Sequence, residues 1–202
     1  MTREQAWQIV CEHVKDTGLR RHMVAVESAM RSYAPRLGGD AERWGLAGLL
    51  HDFDWEIHPT LTDHPAKGAA ILRGRGVDED VVHCILSHNP PSTGISPASP
   101  MEFALTACDE ITGLIIATAL VRPSKNIADV ELKSVQKKWK DHAFAAGVHR
   151  DQVETETKTF SQACFDGKLE LWEHVNNVLT AMKGAAAALD LDGRMATAKS
   201  AP

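Results

Sequence analysis

Apolar side chains recur along this chain at three- and four-residue intervals, and few windows alternate with the period of two that a half-buried strand needs. The pattern predicts one helix after another. Thr2 and Gln5 form a capping box for a helix over 2–16, with Trp7, Val10, Cys11 and Val14 on one stripe and Gly18 closing it. A second helix is predicted over 20–37. His22 falls near the same face as Val26, Ala29, Met30 and Tyr33, so it points with that stripe toward the core. Gly38 and Gly39 break the pattern, and Asp40 caps a third helix carrying Trp44, Leu46, Leu49 and Leu50. This apolar run ends abruptly in His51-Asp52. An imidazole beside a carboxylate at such a place is costly to bury unless an ion pair, a protonated carboxyl or a metal meets them.

Residues 53–63 are irregular. Pro59 and Pro65 hold His58 and His64 in extended backbone. Pro65 suits the first position of a helix over 65–74, with Asp63 or His64 as its cap. Asp78 caps a short helix over 79–88, on which Val81, Cys84, Ile85 and His88 share the core face while His83 goes with solvent. Residues 89–100 hold too many prolines for a helix. Residues 101–121 are the most hydrophobic stretch and are predicted to form a central helix, buried nearly all round. Asp109 and Glu110 lie in its middle, and Asp109 has no Lys or Arg one turn away. A carboxylate there needs a partner, of which a distant arginine is the simplest. After a basic turn from Arg122 to Lys125, helices are predicted over 130–146, 150–165 and 169–183. Beyond Gly184 the Ala-rich sequence reads as a fraying tail.

The chain has 202 residues, 44% hydrophobic and 24% charged, enough for one ordinary domain with a proper core. Aromatics at 5% and abundant Ala and Leu agree with an all-α fold. The expected division is a helical core over 1–128, further helices over 129–184 packed on it in the same domain, and a disordered tail over 185–202. A net charge of −5 and a pI near 6.0 leave no broad basic face. That argues against duplex nucleic acid as a partner, because nonspecific affinity for it comes mostly from phosphate neutralisation. A local basic pocket for a small phosphorylated substrate is still allowed. Cys11, Cys84, Cys108 and Cys164 are widely spaced, with no Cys-x-x-Cys, and are expected to be small core residues in a reducing compartment. No apolar stretch reaches about 18 residues without a charge or a break, and the N-terminus lacks a signal-peptide pattern. The expectation is a soluble cytoplasmic protein with no membrane partner, monomeric or homodimeric.

His22, His51, Asp52, His64, His88 and Asp109 each sit on a core-facing stripe or at a helix end near one. Four imidazoles and two carboxylates suit first-row transition ions, the carboxylates offsetting the charge of a dication. Calcium would want more oxygens, and magnesium fewer histidines. Asp52 could bridge two ions, with one oxygen to each. His58, which also precedes a proline, is an alternative to His64.

These residues stand as His22 in Arg-Arg-His-Met-Val-Ala-Val, His51-Asp52 in Leu-Leu-His-Asp, His64 in Asp-His-Pro-Ala-Lys-Gly-Ala, His88 in Leu-Ser-His-Asn and Asp109 in Ala-Cys-Asp-Glu-Ile. In that order, over residues 18–125, the chain resembles the HD-domain metal-dependent phosphohydrolase superfamily. The resemblance implies a helical bundle with a buried metal centre, here with a C-terminal helical extension. It implies that His22, His51, Asp52 and Asp109 hold one ion. His64 and His88 then look like the two-metal branch, with Asp52 shared, which includes phosphodiesterases and dinucleotide polyphosphate hydrolases. The implied cofactors are one or two divalent ions of iron, manganese, zinc, cobalt or nickel. The chain departs from the family where many members carry a Lys or Glu just after the His-Asp pair. Here Phe53-Asp54-Trp55-Glu56 stands, and Glu56 is read as capping a loop, with proton transfer as the alternative.

The activity implied is hydrolysis of a phosphate ester or anhydride of a small molecule, such as a nucleotide, by hydroxide that the ions activate. Asp52 would be the catalytic residue at the centre, and Lys67, Arg122 and Lys125 are candidates to hold the phosphate. The same ligand set also serves di-iron oxygenases of the wider superfamily. A metal-stabilised binding module is the non-catalytic alternative.

Overall fold

The capping box is present: Thr2 Oγ1 accepts from the Gln5 amide, Gln5 Oε1 accepts from the Thr2 amide, and together they open helix α1, Arg3–His13. The structure is a computed structural model and describes residues 1–197. Among them there are no strands beyond one isolated bridge, Asn126 to Asp192, and the fold is all-α as predicted. The chain divides into two compact units, 1–106 and residue 107 onward. The division falls inside the longest helix, whereas the sequence reading draws its line at residue 128.

In the first unit α1 is followed by α2 (Thr17–Tyr33), a 3-10 turn (Ala34–Leu37), α3 (Ala41–Leu50), α4 (Ala66–Gly74), α5 (Glu79–Ser87), the single turn α6 (Pro90–Thr93) and the start of α7 (Pro100–Leu120). Helix α2 begins earlier than the apolar pattern suggests. Asp16 caps it by accepting from the Leu19 amide, so Gly18 lies in its first turn and does not close α1. Asp40 caps α3, accepting from the amides of Glu42 and Arg43. Within 89–100, Pro90–Thr93 do form one helical turn, because prolines at its first positions need no amide partner.

Helices α2 and α3 pack along each other, α1 and α5 pack on α3, and α4 packs on α5. Met23, Val26, Met30 and Tyr33 of α2 are buried, as are Leu49 and Leu50 of α3 and Ile85 of α5. Each large aliphatic side chain so buried contributes about 1.5–3 kcal/mol. Gly48 sets how close α3 comes to α2: a Cβ there would lie 2.8 Å from the Glu27 nitrogen and 2.9 Å from the Val26 carbonyl carbon. Glu27 is itself buried, and the Arg3 guanidinium closes on it through hydrogen bonds of 2.6 and 2.8 Å.

In the second unit the rest of α7 leads to a 3-10 turn (Ile127–Asp129), α8 (Leu132–Trp139), α9 (Arg150–Cys164), α10 (Leu171–Gly184) and α11 (Arg194–Thr197). Helix α10 packs on α8, on α9 and on the 127–129 turn. Helix α7 is long and apolar enough to cross a membrane, and 61% of its most apolar window is buried inside the protein. The helix expected over 130–146 stops at Trp139. The buried Arg150 guanidinium donates to the main-chain oxygens of Asp141, Phe144, Ala145 and Val148, which satisfies carbonyls that would otherwise need helical partners. The stretch expected to fray from 185 is packed as far as it is described. Leu189 and Leu191 are fully buried, and the Ile127 amide donates to the Leu191 oxygen. Residues 198–202 of that expected tail lie outside the described residues.

The four thiols are free, Cys84 and Cys108 buried and the other two half-buried. Burial pushes the Cys84 and Cys108 thiols up, so both stay protonated and behave as small apolar side chains.

Candidate metal centre

Two helices of the first unit end in an imidazole: His51 caps the C-terminus of α3, and His88 that of α5. Helix C-termini carry partial negative charge, so both rings are delivered to a place that suits a cation. A carbonyl can only accept, so the short contacts of His51 Nδ1 with the Gly48 oxygen (2.8 Å) and of His88 Nδ1 with the Ile85 oxygen place a proton on each Nδ1. That leaves each Nε2 lone pair to face inward. His22 enters from the second turn of α2, His64 from the turn before α4, and Asp52 directly follows His51.

The five side chains form two groups that share one carboxylate. His22 Nε2 and His51 Nε2 are 3.2 Å apart, and they lie 3.6 and 3.4 Å from Asp52 Oδ2. His64 Nε2 and His88 Nε2 are 3.0 Å apart, and they lie 3.2 and 3.7 Å from Asp52 Oδ1. The two oxygens of Asp52 are thus divided between two imidazole pairs. Imidazoles that bind one ion at about 2.0–2.1 Å stand roughly 2.9–3.4 Å apart in octahedral or tetrahedral arrangements. Both observed separations fall in that range, and the donor set of nitrogens with a carboxylate is that of a transition-metal centre.

The charges point the same way. Burial works against ionisation of Asp52, yet the imidazoles of His51, His64 and His22 hold its carboxyl well below the usual carboxylate range. For His64 burial also opposes charge, but hydrogen bonds to Asp52 and Asp54 push it up to about 9. Without an ion, His64 therefore keeps a proton where a ligand lone pair would be needed, and proton and ion compete for that nitrogen.

The structure brings together His22, His51, Asp52, His64 and His88, and it is His64, not His58, that joins the group. Asp109 belongs to the second unit, where its main-chain oxygen accepts from Thr112 Oγ1 at 2.8 Å. Arg122 and Lys125 also belong to that unit. Arg122 donates to Ser134 Oγ at 2.8 Å, and Lys125 takes a left-handed φ of 46° in the turn after α7. Lys67 is exposed and pairs with Asp63 at 3.0 Å. Glu56 accepts from the main-chain amides of Lys15 and Asp16, so it ties down the start of α2, the loop-capping role read for it.

Asp54 is the residue that sequence reasoning missed. Its side chain is fully buried, with Oδ1 2.7 Å from His64 Nδ1 and Oδ2 accepting from the Gly68 amide at 3.1 Å. The available signal was an acid set between Phe53 and Trp55. Phe53 is fully buried, and Trp55 lies edge-on to His64 with ring centroids 5.1 Å apart.

A family model described as HD domain matches residues 19–118. Among curated proteins, Ribonuclease Y of Oleidesulfovibrio alaskensis is 30% identical over 94 residues, covering 46% of this chain and 18% of that protein. Ribonuclease Y of Cutibacterium acnes is 31% identical over 93 residues, covering 45% of this chain and 17% of that protein. The chain therefore matches less than a fifth of the length of these relatives. No solved structure gives a significant match.

Proposed function

The chain belongs to the HD-domain family through residues 19–118, and from that premise we propose that it is a metal-dependent phosphohydrolase acting on a phosphate ester or anhydride of a small molecule, such as a nucleotide. The observation that carries this reading is Asp52, one carboxylate whose two oxygens serve two imidazole pairs. Divalent ions held by these residues would supply Lewis acidity toward water and toward phosphoryl oxygens.

The chain's own groups do the rest. Asp52 stays ionised and offsets positive charge at the centre. His51 and His88, anchored to main-chain oxygens at the ends of α3 and α5, keep their Nε2 atoms aimed inward. The nearly complete burial of His51 and His64 keeps bulk water off those two rings, while His22 and Asp52 stay partly open to solvent. Lys67, exposed and paired with Asp63, is a candidate to meet a phosphate. Arg122, Lys125 and the role of Asp109 as a further ligand are carried on the sequence pattern and the resemblance. The net charge of −5 favours a small substrate over duplex nucleic acid, and the free thiols fit a reducing, cytoplasmic setting.

The test is to load metal-free chain separately with manganese, iron, zinc, cobalt or nickel. The panel is phosphomonoesters, phosphodiesters, nucleotides, dinucleotide polyphosphates and a single-stranded RNA oligonucleotide, the last because the relatives are named as ribonucleases. The expected result is close to two ions per chain and turnover of at least one small phosphate compound. Asp52→Ala should lose ions and at least about 100-fold in rate. A chain that takes up none of these ions, or a loaded chain that leaves the whole panel intact, overturns the reading. Oxygen uptake by the iron-loaded chain would move it to the oxygenase class.

A further inference from the structure

The four imidazoles of the cluster are not held alike. His51 and His88 are backed by main-chain oxygens, those of Gly48 and Ile85. His64 is backed by a carboxylate, Asp54 Oδ1, at 2.7 Å. Asp54 is 0% exposed, and its side-chain partners among the described residues are that imidazole and the Gly68 amide. Helix α4 is shaped to allow this. A Cβ on Gly68 would lie 2.5 Å from the Asp54 carboxylate carbon and from Oδ2, so only glycine lets the amide approach. A buried acid, a glycine and an imidazole are thus built around one contact, at the expense of a carboxylate taken out of water.

We propose that Asp54 is a positioning residue for one ion subsite alone, fixing His64 as the Nδ1–H tautomer and strengthening its Nε2 as a ligand in the pair with His88. This rests on the reading that the cluster holds divalent ions. A carboxylate accepts but does not donate, so it places the imidazole proton on Nδ1 and turns Nε2 toward Asp52 Oδ1, 3.2 Å away, and His88 Nε2, 3.0 Å away. A neutral carbonyl orients a ring in the same way. A full negative charge also raises the ring's basicity, and outer partners of this kind are typically worth 10–100-fold in metal affinity. The His22–His51 pair, reached through Asp52 Oδ2, has its own backing at His51 and does not depend on Asp54.

The test reads ion binding and not turnover. Metal-free chain is titrated with cobalt(II), following its visible absorption, as wild type, Asp54→Asn, His22→Gln and the double variant. Asp54→Asn should weaken one binding event by about 10–100-fold and leave the other within about twofold. In the His22→Gln background, where the His64–His88 pair remains, adding Asp54→Asn should weaken the surviving event by the same factor. Equal affinities with and without Asp54→Asn, or an equal loss at both events, overturn the proposal while leaving the metal centre standing. A wild-type chain that binds no cobalt overturns both. Should the variants fail to fold, nitrogen-15 NMR of the zinc-loaded wild type decides. A proton on His64 Nδ1, shifted downfield and slow to exchange, is expected, and the opposite tautomer or a freely exchanging proton overturns the proposal.

Discussion

Asp52 and Glu156 are both half-buried acids, and their neighbours send them in opposite directions. Asp52 sits among imidazoles and stays ionised. Among the described residues Glu156, on α9, has Gln152 as its donor, at 2.9 Å to Oε1, and its Oε2 is buried with no partner. Burial, followed by the nearby charges of Asp109 and Glu110, pushes its carboxyl up to about 8. The folded chain therefore holds this proton more tightly than the unfolded chain does. The resulting stability is fully present below the usual carboxyl range near 4.5 and is lost as pH rises through about 8. Glu156→Gln removes the ionisation. In ion-free protein it should raise stability by about 1–3 kcal/mol at pH 8.5 and have no such effect at pH 4.5, read from urea unfolding at both values. An equal effect at the two pH values would mean that packing and not charge is at work. At this scale much of the candidate centre was legible in the sequence. Helical spacing alone put His22 and His88 on core faces, and the abrupt end of an apolar run exposed His51-Asp52. Asp54 was not legible, because its role depends on a ring ten positions away and on a helix that approaches only over a glycine.

Helix α3 is placed by what it lacks. Gly48 lets its backbone reach the α2 backbone at Glu27, and the Gly48 oxygen is also what orients His51. Gly48→Ala puts a methyl group against main-chain atoms that have no rotamer to escape into. It should cost about 1–3 kcal/mol in urea unfolding, together with weaker ion binding because His51 moves with its anchor. An unchanged unfolding midpoint would show that α2 and α3 have slack at this contact. The element boundaries the sequence missed share one cause. Helical periodicity continues past Trp139, but a single buried cation, Arg150, collects four main-chain oxygens between Asp141 and Val148 and ends the helix early. Asp16 likewise starts α2 before the apolar stripe begins. Caps and a buried cation act through one side chain at one position, and one position leaves no periodic trace.

For the molecule as a whole, ion binding at this cluster would be linked to folding. Two of the five ligand side chains of the first unit sit at helix ends and the others on three different segments, so the set exists only when that unit is folded. Free ion at 100 times its dissociation constant should stabilise the first unit by about 2.7 kcal/mol, a rise in its melting temperature of about 10–20 °C that a chelator reverses and Asp52→Ala abolishes. Calorimetry that shows no shift with any of the five metals would separate the cluster from stability. The all-α class was legible from periodicity, but the division at residue 106 was not, since the apolar run of α7 crosses it without a break. Asp52 joins the two imidazole pairs through a single O–C–O link, and such a link transmits exchange between electron spins as well as charge. Filled with two paramagnetic ions, the centre would answer a magnetic field as one coupled pair, its magnetism belonging to neither ion alone.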